Sequence, residues 1–566
     1  MARQSHTIKR YGINSEASEK PPSKRRETER IVCIGLVSPR HWFVPSLGIY
    51  SVALPLAPIR YNPSIMRQFD TARDTPETIH AALTARDHAK NAQIEAVVRG
   101  ILDDVKARGD AAVLDYTRRF DWPDATADKT SIHVGARQAM FERALAPELD
   151  GELFGEEVSD IGRLTTTMQQ AIWNIRAFHE AELGHLQSWM SLAGNTGNAY
   201  RDSVPGSIIR GQILRPVQRA GVYVPGGKAV YPSTILMAAI PALVAGVEEV
   251  IICTPPDKQG NIDPSLIVAA ELADDGKDCR IFKIGGAQAI AAMAYGTETV
   301  PKCDVIVGPG NQYVNSAKKL VYGECAIDML AGPSEVAVIA DEFTNPKFAA
   351  ADLLAQTEHG HDNKGVFFCH SHEVLEHTKA ELSRQRAELS RKEILDATAL
   401  NLIFVKTNSL EESLALSNIL APEHLELMVR EPLAALPLVK NAGAVLLGEH
   451  TSASVGDYWA GPSHTLPTAG AARFSSPLSV NTFMKRTSVV YYSQKAAEDA
   501  AEDVARFAEA EGFDAHASAA RLRGPHPRSG RGELEAGGEP SPQSLPLSHG
   551  VGAGVGEERD GDGDQL

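Results

Sequence analysis

Ile94, Val97, Val98, Ile101, Leu102 and Val105 recur at three- and four-residue steps, and Gly109 ends the run. That spacing predicts an amphipathic helix that stops at the glycine. A second helical stretch covers residues 165–182. The next stretch, GHLQSWMSLAGNTGNAYRDSVPGS (184–207), is polar with little periodicity and reads as a surface loop. From Val222 the pattern becomes an alternation. EEVIIC, RIFKIGG, CDVIVGPG, SEVAVIAD, GVFFCH and NLIFV read as short apolar strands. Helical stretches separate them: DPSLIVAAELADDG with Asp263 as N-cap and Pro264 in the first position, AQAIAAMAYG, NQYVNSAKKLV, a helix opened by Asn345 and Pro346, and a long helix near 372–391. Short apolar strands between helices predict an α/β fold with a mostly parallel, covered sheet.

The flanks differ. Residues 1–64 are irregular and rich in Ser, Pro and Arg, and from Gly524 the chain is dominated by Gly, Pro and charge, as in a disordered tail. The apolar stretch near residues 31–61 is interrupted by Arg40, His41, Arg60 and several prolines, so no membrane span and no secretory signal is expected. Glu16, Glu19, Glu27 and Glu29 fit poorly with a transit peptide, and the extension is read as unstructured or targeting.

The chain has 566 residues, 43% hydrophobic and 23% charged, enough for a sizeable core in more than one domain. A net charge of −16 argues against a nucleic-acid binder. The six cysteines form no CxxC pair, which predicts reduced thiols in a cytoplasmic compartment. Cys253, at the end of an apolar strand, reads as a small buried residue rather than a nucleophile.

Chemistry concentrates in a few stretches. Glycine-rich turns follow three strand regions: YVPGGKAVYPS, IGGAQA and VGPGNQYV. Such turns suit a ligand beyond the carboxyl ends of strands, with helix-start N–H groups facing phosphate. None is GxGxxG, and tight turns without a ligand fit equally well. LAPEHLEL sets Glu423 beside His424, an acid and a base for proton transfers at one locus, or an exposed turn after a proline. In LLAQTEHGHDN (353–363), Gln356 and His359 sit three apart just before Gly360, on one face of a last helical turn. They are a polar helix end or half of a metal site. Asp457 and His464 lie in a Gly/Pro-rich loop, and Glu511 and His516 in a late helical stretch. Gln356, His359, Asp457 and His516 make a metal site only if the fold gathers them, with His361, His370, His372 and His464 as competing donors.

Taken together, these motifs resemble histidinol dehydrogenase over about residues 65–523. The resemblance runs through RAGVYVPGGKAVYPSTILMAAIPA, IGGAQAIAAMAYGTE, VGPGNQYV, IDMLAGPSEVAVIAD, AADLLAQTEHG, LAPEHLEL, GDYWAGPSHTLPT and ARFSSPLSVNTFMKRTS. It implies two Rossmann-like, aldehyde-dehydrogenase-like α/β domains with small helical segments at both ends that build an intertwined homodimer. The implied divisions are a 1–64 extension, 65–222 as the N-terminal helices and first part of domain one, 223–334 as domain two on the dinucleotide side, 335–477 as the rest of domain one, 478–523 as a dimer-crossing segment and 524–566 as a tail. It implies one zinc ion per subunit held by Gln356, His359, Asp457 and His516, the last from the partner chain. Glu423 and His424 match the catalytic pair; Ser334, His464 and Glu511 match substrate positions, alongside the zinc donors and His424. Tyr223, Gln288 and Asn311 match the NAD site.

The implied reaction is a four-electron oxidation of L-histidinol to L-histidine through bound histidinal, with two NAD. The imidazole and amine of histidinol are both good zinc donors, so zinc serves as a template. His424 takes the alcohol proton, and Glu423 then activates the water that adds to the aldehyde. Two other readings compete: a relative acting on another small alcohol such as a sulfonated diol, and a non-enzymatic binding protein of the same fold. Glu511 suits a cationic amine and not a sulfonate. A non-enzymatic relative predicts loss of a motif residue, and none is lost. No membrane or nucleic-acid partner is implied.

Overall fold

The structure, a computed structural model, describes residues 66–85, 91–132, 160–193, 208–227, 229–274, 278–358 and 360–525. The readings of the 1–64 extension, of the 524–566 tail beyond residue 525, and of Cys33 and His359 lie outside the described residues. Among the described residues, fifteen strands are numbered in chain order: β1 (Arg67–Asp70), β2 (Ser131–Ile132), β3 (Trp189–Ala193), β4 (Ile208–Pro216), β5 (Arg219–Tyr223), β6 (Glu249–Cys253), β7 (Asp278–Phe282) and β8 (Val305–Val307). Then come β9 (Ala326–Ile327), β10 (Glu335–Ala340), β11 (Lys364–Cys369), β12 (Leu402–Lys406), β13 (His424–Met428), β14 (Ala444–Leu447) and β15 (Met484–Tyr492).

They form three sheets. The first is all parallel, in the order β1-β12-β11-β10-β13-β14. The second, β2-β7-β6-β5-β8-β9, is parallel except for β2 at its edge. Every residue of β10 and β13 is buried, as expected of strands covered on both faces by helices. One core lies on each face of each sheet. Phe367 and Phe404 fill one side of the first, and Phe368, Ile339 and Leu425 the other. The helix Asn91–Arg108 turns Val98, Ile101, Leu102 and Val105 of the predicted stripe into the core on one face of the second sheet, packed on the helices Gly286–Tyr295 and Gln312–Val321, while Val97 of that run is exposed.

Local chemistry sets many helix starts. Asp263 caps through its carboxylate to Ser265 N with Pro264 first in the helix, and Asn345 caps Lys347 N ahead of Pro346. The 184–207 stretch departs from the expected loop. Trp189–Ala193 within it is β3, paired antiparallel with β4, and β4 pairs along its full length with β15. This third sheet leaves Trp189, Val490, Tyr491 and Tyr492 well exposed, so the described side chains of β3 and β15 lack the buried apolar face that marks a strand in sequence.

The chain after β15 folds into two helices, Gln494–Ala510 and Asp514–Arg521, packed on each other. Their shared core is small: Ala505, Ala508 and Ala517 with Ala520 against them. Val504, Phe507, Phe513 and Leu522 stay exposed. No described helix is long and apolar enough to cross a membrane.

Candidate active site

β10 and β13 lie side by side, with Val336 opposite His424. The chain winds from β10 to β11 and β12 on one side, then returns to β13 and β14 on the other. The order therefore reverses between β10 and β13. At the amino ends of these two strands the functional residues gather. The helix Pro346–Thr357, which follows β10, brings Gln356 back to that edge from its last turn.

Glu423 and His424 are buried there, 6% and 4% exposed, and His424 opens β13. Taken alone, the LAPEHLEL stretch favours an exposed turn; burial at the amino ends of two interior strands decides against it. Glu423 Oε2 accepts the backbone N–H of Glu335 at 2.8 Å, and the Gln356 amide nitrogen faces the same oxygen at 3.5 Å. Burial, the largest influence, pushes the Glu423 carboxyl up to about 7 despite His424 beside it. His424 Nε2 lies 3.2 Å from Asp457 Oδ1, and Nδ1 lies 3.8 Å from Glu423 Oε2. Burial alone would lower the His424 pKa, but the Asp457 and Glu423 carboxylates raise it above the ordinary histidine value.

Asp457 sits in a short helix, Ala453–Tyr458, rather than in the loop expected from its Gly and Pro neighbours. Ser452 caps that helix through Val455 N. The Asp457 carbonyl accepts from His464 Nδ1 at 2.9 Å, so Nδ1 carries a proton. Ser334 is half-buried at the start of β10. Its N–H donates to Asn363 Oδ1 at 3.1 Å, and Asn363 Nδ2 donates to the Gln356 carbonyl at 3.2 Å. Asn363, not singled out from sequence, thus staples Ser334 to the helix end that carries Gln356.

Gln356, Glu423, His424, Asp457 and His464 therefore come together. Glu511 and His516 do not join them within this chain: both are exposed in the C-terminal helical pair, with the His516 ring against Phe513. Among the described residues no three His, Cys, Asp or Glu side chains form a metal-holding group. The residues present still suit a metal of zinc's character. With its nitrogen toward Glu423, Gln356 keeps its carbonyl oxygen for a metal, and Asp457 offers an anionic oxygen nearby.

The second sheet also reverses its order, between β5 and β8, and here the residues stand at the carboxyl ends, where open α/β sheets bind ligands. Tyr223 ends β5, and its hydroxyl accepts the N–H of Gly286 at 3.0 Å. Gln288 is buried two residues on and donates to Asp121 Oδ2 at 3.2 Å. Asn311 follows β8 and caps the helix Gln312–Val321 through Tyr313 N and Val314 N. Gly308 has a φ of +109°, and a Cβ there would overlap the Tyr223 carbonyl oxygen. Lys318 and Asp328, fully buried together, fasten this turn: Lys318 donates to the Gly308 carbonyl at 2.8 Å and Asp328 accepts from Gly308 N at 2.8 Å. Asn315 donates to the carbonyls of Gly310 at 3.0 Å and Ala331 at 2.6 Å, tying the turn to the segment that enters β10. Cys253 is fully buried, as expected, and burial pushes its thiol far up.

Comparison with known proteins agrees with this layout. The sequence profile of the histidinol dehydrogenase family matches residues 84–524. Histidinol dehydrogenase of Geobacter metallireducens is 43% identical over 445 residues, covering 78% of this chain and 94% of that protein. The Bacillus subtilis enzyme is 45% identical over 430 residues, covering 75% and 92%. The crystal structure of histidinol dehydrogenase from Elizabethkingia anophelis aligns with a TM-score of 0.71 at 34% identity, over 81% of this chain and 98% of that one. The mixed α/β architecture with parallel sheets, the motif series and these relatives agree: the chain belongs to the histidinol dehydrogenase family.

Proposed function

We propose that this chain oxidises L-histidinol to L-histidine, using NAD, in a zinc site completed by a second copy of the chain. The observation that carries the reading is the placement of His424 between Asp457 and Glu423 at a buried sheet edge, with Gln356 alongside. The two six-stranded sheets support a two-domain core. Residues 223–334 hold most of the dinucleotide side, with Tyr223, Gln288 and Asn311, and residues 335–477 hold the catalytic edge.

Gln356, His359, Asp457 and the partner chain's copy of position 516 are the proposed zinc donors. When bound, zinc fixes the imidazole and amine of the substrate, and NAD accepts hydride. His424 takes the proton of the alcohol, its imidazolium form stabilised by the Asp457 and Glu423 carboxylates. Glu423, a base whose raised pKa suits neutral pH, then takes a proton from the water that adds to the aldehyde. His424 acts again in the second oxidation. Ser334 and His464 line the substrate. The buried edge keeps the aldehyde from bulk water between the two steps.

The dimer reading rests on the C-terminal helical pair. It carries Glu511 and His516 away from the chain's own cluster and leaves Val504, Phe507, Phe513 and Leu522 uncovered. A second chain lying against this face buries those side chains and receives the two polar residues. The test is turnover of L-histidinol with NAD, identifying the product as L-histidine. Turnover of a sulfonated diol in preference to histidinol would overturn the substrate assignment.

A further inference from the structure

Two buried carboxyl groups stand directly behind the site and belong to none of the roles above. Asp352 is one helical turn before Gln356 on the helix Pro346–Thr357, so the two share a face. Glu426 is two residues after His424 on β13, so these two point to the same side of the sheet. Glu426 Oε1 accepts the N–H of Ala453 at 3.0 Å, and Ala453 opens the short helix that carries Asp457. That helix packs against Pro346–Thr357. Asp352 is 7% exposed and Glu426 0%.

The two carboxyl groups lie within hydrogen-bonding reach of each other. Among the described residues no N–H or O–H donor reaches Glu426 Oε2. Two carboxylates cannot both stay ionised at that separation without water, so one proton between them is the arrangement that satisfies both. An O–H···O⁻ bond of this kind is shorter and roughly twice as strong as a neutral one. Burial and the neighbouring Asp352 and Asp457 charges push Glu426 well above the carboxylate range, while burial takes Asp352 up to about 6. Both groups are thus held toward the protonated form, as a pair with one proton between them requires.

We propose that Asp352 and Glu426 are positioning residues: sharing one proton, they lock three elements together and hold Gln356, His424 and Asp457 at their working separation. Each partner sits on an element that presents a site residue, and Glu426 also anchors a third element through Ala453. The proposal rests on the zinc reading of the site for its effect on metal, but the shared proton is independent of it.

The test uses the zinc-loaded full chain and two readouts. The first is the rate of zinc release to a chromophoric chelator at neutral pH. Glu426→Gln keeps a donor toward Asp352 and an acceptor toward Ala453, so it should release zinc close to the wild-type rate. Glu426→Leu and Asp352→Leu should release it on the order of 10–100-fold faster, the range for loss of a group that orients metal ligands. Zinc release from Glu426→Leu at the wild-type rate, or from Glu426→Gln as fast as from Glu426→Leu, would overturn the positioning role. The second readout is the infrared difference between wild type and Glu426→Gln. It should contain the C=O band of a protonated carboxylic acid at neutral pH, and its absence would overturn the shared proton even if the leucine variants fail to fold. A wild-type chain that binds no zinc would instead refute the site reading and the metal-positioning role together, leaving the infrared band to decide the proton.

Discussion

Asp457 holds two histidines, His424 and His464: its Oδ1 lies 3.2 Å from His424 Nε2, and its backbone carbonyl accepts from His464 Nδ1 at 2.9 Å. The side-chain contact raises the His424 pKa, so His424 must shed a proton before it can act as base. Turnover should fall as pH drops through that raised value. Asp457→Asn removes the negative charge and lowers the His424 pKa, so the acid limb of the residual activity should move to lower pH. A pH–rate profile with an unmoved limb would count against this coupling.

The neighbouring base is governed chiefly by its burial. Burial takes Glu423 up to about 7, so the carboxylate form that activates water is gained as pH rises through about 7 and lost below it. Supplied histidinal should be oxidised faster as pH rises across that range, and Glu423→Gln should remove the limb near 7 and leave only the one set by His424. A flat profile in the wild type would contradict the role.

The two members of the pair should separate kinetically. His424→Asn should slow both oxidations, by roughly 10²- to 10⁴-fold for loss of a general base, while zinc stays bound. Glu423→Gln should slow aldehyde oxidation more than alcohol oxidation. Single-turnover rates for each step, with metal content measured beside them, distinguish the two.

Complementation tests the shared site. Asp457→Ala and His516→Ala chains should each be inactive as pure dimers. Unfolded together and refolded, they should recover activity, because about one site in four then draws its intact Asp457 and its intact His516 from different chains. No recovery from a mixture that forms mixed dimers would place the His516 contribution within one chain.

The Gly308 turn gives a prediction for the dinucleotide side. Gly308→Ala puts a Cβ into a left-handed backbone and onto the Tyr223 carbonyl. It should cost about 1–3 kcal/mol of stability and raise the KM for NAD more than it lowers kcat. Thermal unfolding and steady-state kinetics check both.

Much of the α/β alternation was legible because its signals are local. The Asp263-Pro264 and Asn345-Pro346 starts are complete within three residues, and β6, β10 and β11 each carry a short unbroken apolar run behind a charged first residue. What escaped depends on distant chain. Glu423 and His424 look like an exposed turn until β10 and its covering helices bury them. Ser452 shapes a one-turn helix around Asp457 too short to show periodicity. β3 has a large exposed share, so it carries no alternation. Asp352 and Glu426 carry no signal in sequence, since only tertiary packing makes them neighbours. The carboxyl-end rule found the glycine turns of the second sheet but pointed away from the catalytic cluster, which stands at the amino ends of β10 and β13.

The most direct test of the account is stoichiometry. With limiting L-histidinol and excess NAD, the reaction should run to completion with two NADH formed per histidinol and histidine as the product. One NADH per histidinol, with histidinal released into solution, would contradict a single site that carries out both oxidations.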